Sequence, residues 1–102
     1  MRASAAIQIL PNLSDQEEML AVVDRVIAYI AGSGLSYQVG PFETVIEGED
    51  YGEVMEVVKN CLTVAAGAGA EKVSAYVKLV YKPEGGVLTI KEKTGKYQGG
   101  SL

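Results

Sequence analysis

The sequence predicts an α+β protein whose elements follow the order β-α-β-β-α-β. Two segments carry apolar residues at helical spacing, and each is flanked by runs in which apolar and polar residues alternate. Both helical segments are followed by similar stop signals, AGSG at residues 31–34 and AGAG at residues 66–69. This order is that of a ferredoxin-like sandwich, with an antiparallel sheet and both helices on one face. We expect residues 1–102 to form a single domain of this kind.

The first half begins with a strand over residues 5–11, where Ile7 and Ile9 alternate with polar neighbours before Pro11 ends the pairing. Ser14 is expected to cap the first helix, and Glu17 three residues later completes a capping-box pattern. The apolar stripe of that helix comprises Leu20, Val23, Ile27 and Ile30, widened by Met19 and Val26.

A hairpin is predicted after the first helix. Residues 35–39 read as the second strand and residues 42–47 as the third, with Gly40 and Pro41 forming the turn between them. Right-handed crossovers would place the first and third strands in the middle of the sheet.

The second half repeats the pattern. Asp50 is expected to cap the second helix, whose core stripe is Val54, Val57, Val58, Cys61, Leu62 and Ala65. Residues 72–82 alternate as a fourth strand, and residues 87–90 are predicted to be an extra C-terminal hairpin strand after a Pro-Glu-Gly-Gly turn. Residues 93–102 are expected to be a flexible tail.

The composition excludes several function classes. There is no His, so histidine-dependent zinc sites and nucleophile–histidine relays lack a required part. The net charge of −4 and the absence of a basic patch argue against nucleic acid as a partner, and no apolar run is long enough to insert into a membrane. The single Cys61 fits a reducing cytoplasm. We therefore expect a cytoplasmic binding protein with no catalytic residues, no metal and no cofactor.

The sheet face that the helices leave bare is of mixed character. The alternation of side chains along the strands assigns to it two carboxylates, two amides, three apolar side chains, a serine, a tyrosine and a lysine. These residues are Gln8, Leu10, Ser36, Gln38, Glu43, Val45, Glu47, Tyr76, Lys78 and Val80. Such a face is too apolar for free solvation and too charged for a dry interface. We expect a homodimer or homotetramer formed through this open sheet face, with room for a small-molecule site.

Within this face Glu43 and Glu47 are expected on one central strand, beside Gln8 on the other. They could be solvated carboxylates or partners of Lys78, or they could form a site for a flat organic cation. In the second case a ring face would come from Tyr37, Tyr51 or Tyr76. Thr44 points by parity toward the helices, where its hydroxyl could bond to backbone or serve as a ligand donor at the mouth between sheet and helix.

The segment from Tyr37 to Gly48 carries the string Y-x-V-G-P-x-x-T-x-I-E-G, which resembles the YkoF-like thiamine-binding family of small ferredoxin-like proteins. The resemblance implies a non-catalytic oligomer that binds thiamine or its hydroxymethylpyrimidine half. The resemblance implies a ligand-binding role for Tyr37, Thr44 and Glu47. The same role for Gln8, Gln38 and Glu43 rests only on the alternation of side chains along the strands. Two alternatives stay open: an interaction or regulatory protein whose sheet face only oligomerises, and a cofactor-free enzyme that uses Glu43 or Glu47 as a base.

Overall fold

The computed structural model describes residues 1–97 as four strands and two long helices, followed by two short helical segments. The strands are β1 (Ala3–Pro11), β2 (Ser36–Val39), β3 (Thr44–Gly48) and β4 (Val73–Tyr81). The helices are α1 (Gln16–Ala31), α2 (Tyr51–Gly67), α3 (Ile90–Thr94) and a final 3-10 turn, Gly95–Tyr97. The predicted β-α-β-β-α-β order is confirmed.

The sheet is antiparallel in the order β2-β3-β1-β4, which confirms that the first and third strands lie in the middle. Ile7 pairs with Thr44 on one side and with Val77 on the other, and Gln8 pairs with Tyr76. Directly paired residues share a face of the sheet, so this register also confirms the predicted division between the helix side and the open side, except at Glu43, which precedes β3 and lies outside the register.

The core lies between the sheet and the two long helices. Ala5, Ile7 and Ile46 from the two central strands pack against Ile30 of α1 and Val54 of α2, all of them buried. Because these strand residues share one face, both helices cover that same face. The predicted stripe of α2 is confirmed except at Leu62, which is half-buried.

Helix α1 differs from its prediction in two respects. Its N-cap is Asp15 rather than Ser14, since the Asp15 carboxylate accepts the Glu17 N–H at 2.9 Å. Its buried residues are Val22, Val26 and Ile30, whereas Leu20 is largely exposed. The helix is therefore rotated slightly from the predicted stripe, which turns Val23 and Ile27 from the centre of the core toward its margin.

The C-terminal hairpin strand predicted at residues 87–90 is wrong. Residues 87–89 have no regular structure and Ile90 begins α3, because Thr89 and Glu92 form a reciprocal capping box. Part of the predicted tail, residues 93–97, is helical, and the remainder lies outside the described residues. Among residues 1–97 no helix has the length and apolar content to span a membrane.

Substitutions at two neighbouring residues of β3 test which face of the sheet is part of the core. Replacing the fully buried Ile46 by Ala should lower the free energy of unfolding by about 2–5 kcal/mol, because it leaves a cavity in the core. Val45→Ala, on the half-buried open face, should cost about 1 kcal/mol. Urea denaturation of the two variants measures both; equal losses would contradict the placement of the core.

Candidate functional site

A cavity of about 210 Å³ lies between α1 and the end of the sheet where β1 passes the β2–β3 hairpin. Its walls are mostly apolar, and the polar side chains among them come from the sheet side. The lining residues used below are Gln8, Glu43 and Thr44 on that side and Val23, Ile27 and Ile30 of α1.

The cavity exists because the β1–β3 ladder stops early. The ladder ends at the pair Ile7–Thr44, whereas β1 continues to Pro11. The next pair in that register would be Gln8 and Glu43, but the chain has already left the strand at Glu43. The notch between the continuing strand and the hairpin is roofed by α1, whose Val23 and Ile27 are the two residues turned away from the centre of the core.

The hairpin itself is closed by one backbone bond, in which the Gly40 N–H donates to the Glu43 carbonyl at 2.9 Å. A Cβ atom at position 40 would lie 2.6 Å from that carbonyl oxygen, so the approach requires glycine. Gly40 thus fixes the backbone of Glu43, and with it the rim of the cavity.

Three of the six predicted site residues meet at this cavity: Gln8, Glu43 and Thr44. No hydrogen bond or ion pair found within residues 1–97 uses any of their side chains, so their polar groups are free to meet a ligand. Thr44 lies on the helix side of the sheet, as predicted, because it pairs with Ile7 and Val39. Together they offer a hydroxyl on the side of the α1 roof, an amide on the open side of β1 and a carboxylate at the hairpin between them.

Phe42 is an aromatic residue of this site that the sequence analysis missed. Phe42 was predicted to begin the third strand, but β3 begins at Thr44, and Phe42 lies in the hairpin turn with 81% of its surface exposed. It lines the cavity, unlike the three tyrosines considered for that role. The signal that could have found it is the Gly-Pro turn, which fixes the following residue at the hairpin tip.

The three tyrosines lie elsewhere. Tyr51 packs edge-on against Tyr81, with ring centroids 4.8 Å apart, at the end of the sheet opposite the cavity. Tyr76 stands beside Gln8 on the open face, and Tyr37 pairs with Ile46 on the helix side. Tyr37 is therefore not part of the cavity lining.

Gln38 and Glu47 also lie outside the cavity lining, both on the open face. Glu47 is only 4% exposed, and one of its carboxylate oxygens accepts the Ile90 N–H at 2.8 Å. This bond joins β3 to the first residue of α3, so the C-terminal segment covers part of the open face. Neither solvation nor an ion pair with Lys78 describes Glu47, whose carboxylate helps to hold the start of α3.

A second cavity, of about 390 Å³, lies between the start of α1 and the end of α2. Its lining includes Glu18 and Arg25, which are exposed side chains of opposite charge, and none of the predicted site residues. The first cavity is the stronger candidate because it combines unpaired polar groups with an apolar roof.

Residues 5–98 of this chain match the model of the family described as thiamine-binding protein. The UPF0045 protein of Clostridium perfringens is 41% identical over 95 residues, which cover 93% of this chain and 96% of the relative.

Two solved structures resemble this chain over nearly its whole length. A DUF77 domain of unknown function from Bacillus cereus superposes with a TM-score of 0.85 at 32% identity, covering 100% of this chain and 95% of the other. A Thermotoga maritima protein, described as a candidate thiamine biosynthesis or salvage protein, gives 0.82 at 32% identity, covering 96% of this chain and 100% of the other. Both share the four-stranded fold described above.

Substitution of Gly40 tests its close approach to the Glu43 carbonyl at the rim of the cavity. Gly40→Ala should destabilise the protein by about 1–3 kcal/mol, because the added Cβ collides with the Glu43 carbonyl. Gly67→Ala is the matched control: at the last position of α2 its Cβ meets no atom within 4 Å, so stability should be unchanged or rise by up to about 1 kcal/mol. Thermal unfolding measures the stability of both variants. A Gly40→Ala protein as stable as the native chain would contradict the close approach.

The capping box of α3 should respond to pH. Hydrogen bonds from the backbone and side chain of Thr89 hold the pKa of Glu92 below its usual range. The contribution of the ionised carboxylate is therefore complete above the ordinary glutamate pKa and is lost as pH falls through the lowered value. An NMR titration should show Glu92 and the α3 amides changing together, and Thr89→Ala should raise the Glu92 midpoint; an unmoved midpoint would contradict the capping box.

Proposed function

The chain belongs to the thiamine-binding protein family, and from that premise we propose that it binds thiamine, or the hydroxymethylpyrimidine half of thiamine, without catalysing a reaction. The observation that carries the proposal is the cavity at the end of the β1–β3 ladder, which has an apolar roof and is lined by Gln8, Glu43 and Thr44, whose polar side chains are unpaired.

The size of the cavity favours one ring of the ligand over the whole molecule. At about 210 Å³ it is smaller than the roughly 300–1,000 Å³ typical of pockets for drug-sized ligands. The aminopyrimidine ring has donors and acceptors along one edge and apolar faces. In the proposed arrangement the Thr44 hydroxyl binds that edge and the side chains of α1 pack against a ring face. Gln8 lies on the open side of β1 by register, so its amide would reach the ligand through the notch where β3 has ended.

The charge of the rim favours the other half of thiamine. Glu43 is the one ionisable side chain in the cavity lining. The thiazolium ring is a permanent cation, so its place in the proposal is at the mouth, between the Glu43 carboxylate and the exposed ring of Phe42. Hydroxymethylpyrimidine lacks the cation and would use the inner part of the site alone.

The lining contains no Lys or Arg, so there is nothing in it to bind a phosphate. Thiamine diphosphate should therefore bind more weakly than thiamine, since its negative charges would meet the Glu43 carboxylate.

The proposal also includes Tyr37, Gln38 and Glu47. None of the three lines the cavity, and Glu47 is engaged with Ile90. Their contribution would come through the open face or through the position of α3. Comparing variants of this group with variants of Gln8, Glu43 and Thr44 separates a ligand at the cavity from a ligand on the open face.

A second function is favoured by the apolar groups on that open face. Leu10, Tyr76 and Val80 are each at least 40% exposed, and Lys78 lies between the last two along β4. Gln38 lies on the same face at the other edge of the sheet. We infer from this patch that a homodimer or homotetramer forms through the open sheet face. In the alternative function this assembly is the protein's whole role, and no small ligand binds. The free Cys61 supports a reducing, cytoplasmic location for either function.

Titration calorimetry tests the proposal with thiamine, hydroxymethylpyrimidine and thiamine diphosphate as probes. The first two should give saturable heat at micromolar Kd or better, and the diphosphate a weaker response. Absence of saturable heat from all three would refute the binding function and leave the oligomeric role, and tighter binding of the diphosphate would refute the proposed site.

Variants then locate the site. Glu43→Gln should weaken the binding of thiamine at least tenfold, about 1.4 kcal/mol, because only thiamine carries the cation. The binding of hydroxymethylpyrimidine should be nearly unchanged. Thr44→Ala should weaken the binding of both ligands. Glu47→Gln keeps an oxygen that can accept the Ile90 N–H, so it is the matched carboxylate control. A large loss with Glu47→Gln and none with Glu43→Gln would move the site to the open face.

A further inference from the structure

One wall of the candidate cavity is a turn, whereas other parts of its lining belong to the core. Ile7 of β1 and Ile30 of α1 line the cavity and are at most 2% exposed, so they cannot move without disturbing the packing of the core. The wall at the hairpin tip consists of residues 40–43, and residues 41–43 are exposed. The tip is therefore the part of the site where a side chain has room to change its position.

Phe42 is the most exposed large apolar side chain among residues 1–97, at 81% against 68% for Tyr76. It lines the cavity nonetheless, so a small part of its surface borders the apolar interior. Within the described part of the chain, Phe42 takes part in no ring–ring pair and no contact between a cation and a ring. The phenyl ring thus stands beside an apolar space that it does not fill, and no aromatic contact holds it in its outward position.

The backbone of the tip is fixed, so the Phe42 side chain is the part that can move. The Gly40 N–H donates to the Glu43 carbonyl at 2.9 Å, in a close approach that only glycine allows, and Pro41 restricts its own φ angle. Exposed side chains exchange between staggered rotamers on a picosecond to nanosecond timescale. Rotation about χ1 of Phe42 therefore moves the ring between solvent and the mouth of the cavity without rearranging the hairpin.

We propose that Phe42 closes the site, in that its ring turns from solvent onto the bound ligand and covers the mouth of the cavity. This inference rests on the proposed function and adds a closing step to it. With hydroxymethylpyrimidine, the phenyl ring covers the face of the pyrimidine that points away from α1. With thiamine, it covers the thiazolium ring at the mouth. In both complexes the ligand is enclosed by the α1 side chains and an aromatic ring.

Closure by Phe42 affects which ligands the site favours and how slowly it releases them. Stacking requires a flat partner, so closure favours a ligand with an aromatic ring over a saturated ligand of the same size. Covering the mouth also excludes water from the hydrogen bond of the Thr44 hydroxyl, which strengthens that bond. Because Phe42 stands in solvent before the ligand enters, its contribution appears in the dissociation rate rather than in the association rate.

Phe42→Trp tests the closure directly, because the chain contains no tryptophan and the new side chain is its sole indole. Saturating hydroxymethylpyrimidine should shift the indole emission to shorter wavelength and lower its quenching by acrylamide severalfold. Tyr76→Trp is the matched control, since Tyr76 is an exposed aromatic residue of the open face outside the cavity lining. The emission of that variant should be unchanged by the ligand.

Calorimetry on the same samples separates failure of the closure from failure of the proposed function. If hydroxymethylpyrimidine binds to the Phe42→Trp protein and the indole stays as accessible to acrylamide as before, the closure is refuted and the binding proposal stands. If neither the native chain nor the variant gives saturable heat, the binding proposal is refuted, and the closure is refuted with it.

Phe42→Ala gives a second measurement, which does not depend on an indole fitting at the mouth. Biosensor kinetics with immobilised protein should show thiamine dissociating about tenfold faster from Phe42→Ala, with an unchanged association rate and far-UV spectrum. Phe42→Tyr keeps the ring and should keep the native dissociation rate. Leu88→Ala is the matched control, because Leu88 is 60% exposed and lies outside the lining. A native dissociation rate in Phe42→Ala would overturn the proposal, and so would an equal acceleration in Leu88→Ala.

Discussion

The difference in length between the two central strands determines the shape of the candidate site. β1 has nine residues and β3 has five, so their ladder ends at Ile7 and Thr44 while β1 continues. Because of that early end, a notch opens beside Gln8, the hairpin tip carries Glu43 and Phe42 to its rim, and the margin of α1 serves as a roof rather than as core. The close contact between Gly40 and the Glu43 carbonyl closes the hairpin next to the last pair of that ladder.

Local patterns were sufficient to predict most of the fold. The alternation of β1 and β4, the cap at Asp50 and the stripe of α2 depend on neighbours within one or two turns, and all are present in the structure. The misplaced cap of α1 reflects two adjacent residues, Ser14 and Asp15, that can both accept the same kind of bond. The missed helix α3 had a local signal too, since Thr89 and Glu92 stand at capping-box spacing inside a run that was interpreted as a strand.

The site was less predictable because it depends on contacts between distant segments. Strand parity placed Gln8 and Glu43 side by side on the open face and Thr44 on the helix side, yet all three line one cavity, because β3 begins only at Thr44. The alternation of side chains could not show that the ladder would stop before Glu43, and so it placed Phe42 in a strand rather than in the turn. The role of Glu47 depends on Ile90, 43 residues further along the chain, and no pattern around position 47 indicates that partner.

The central claim is that the cavity at the end of the β1–β3 ladder binds the pyrimidine ring, and an NMR titration with hydroxymethylpyrimidine tests it most directly. The account predicts saturable shifts confined to the amides of Gln8, Leu10, Gly40, Glu43 and Thr44, with Ala68 and Gly69 at the second cavity unmoved. Saturable shifts centred on Gln38, Glu47 and Ile90, or no saturable shifts at all, would contradict it.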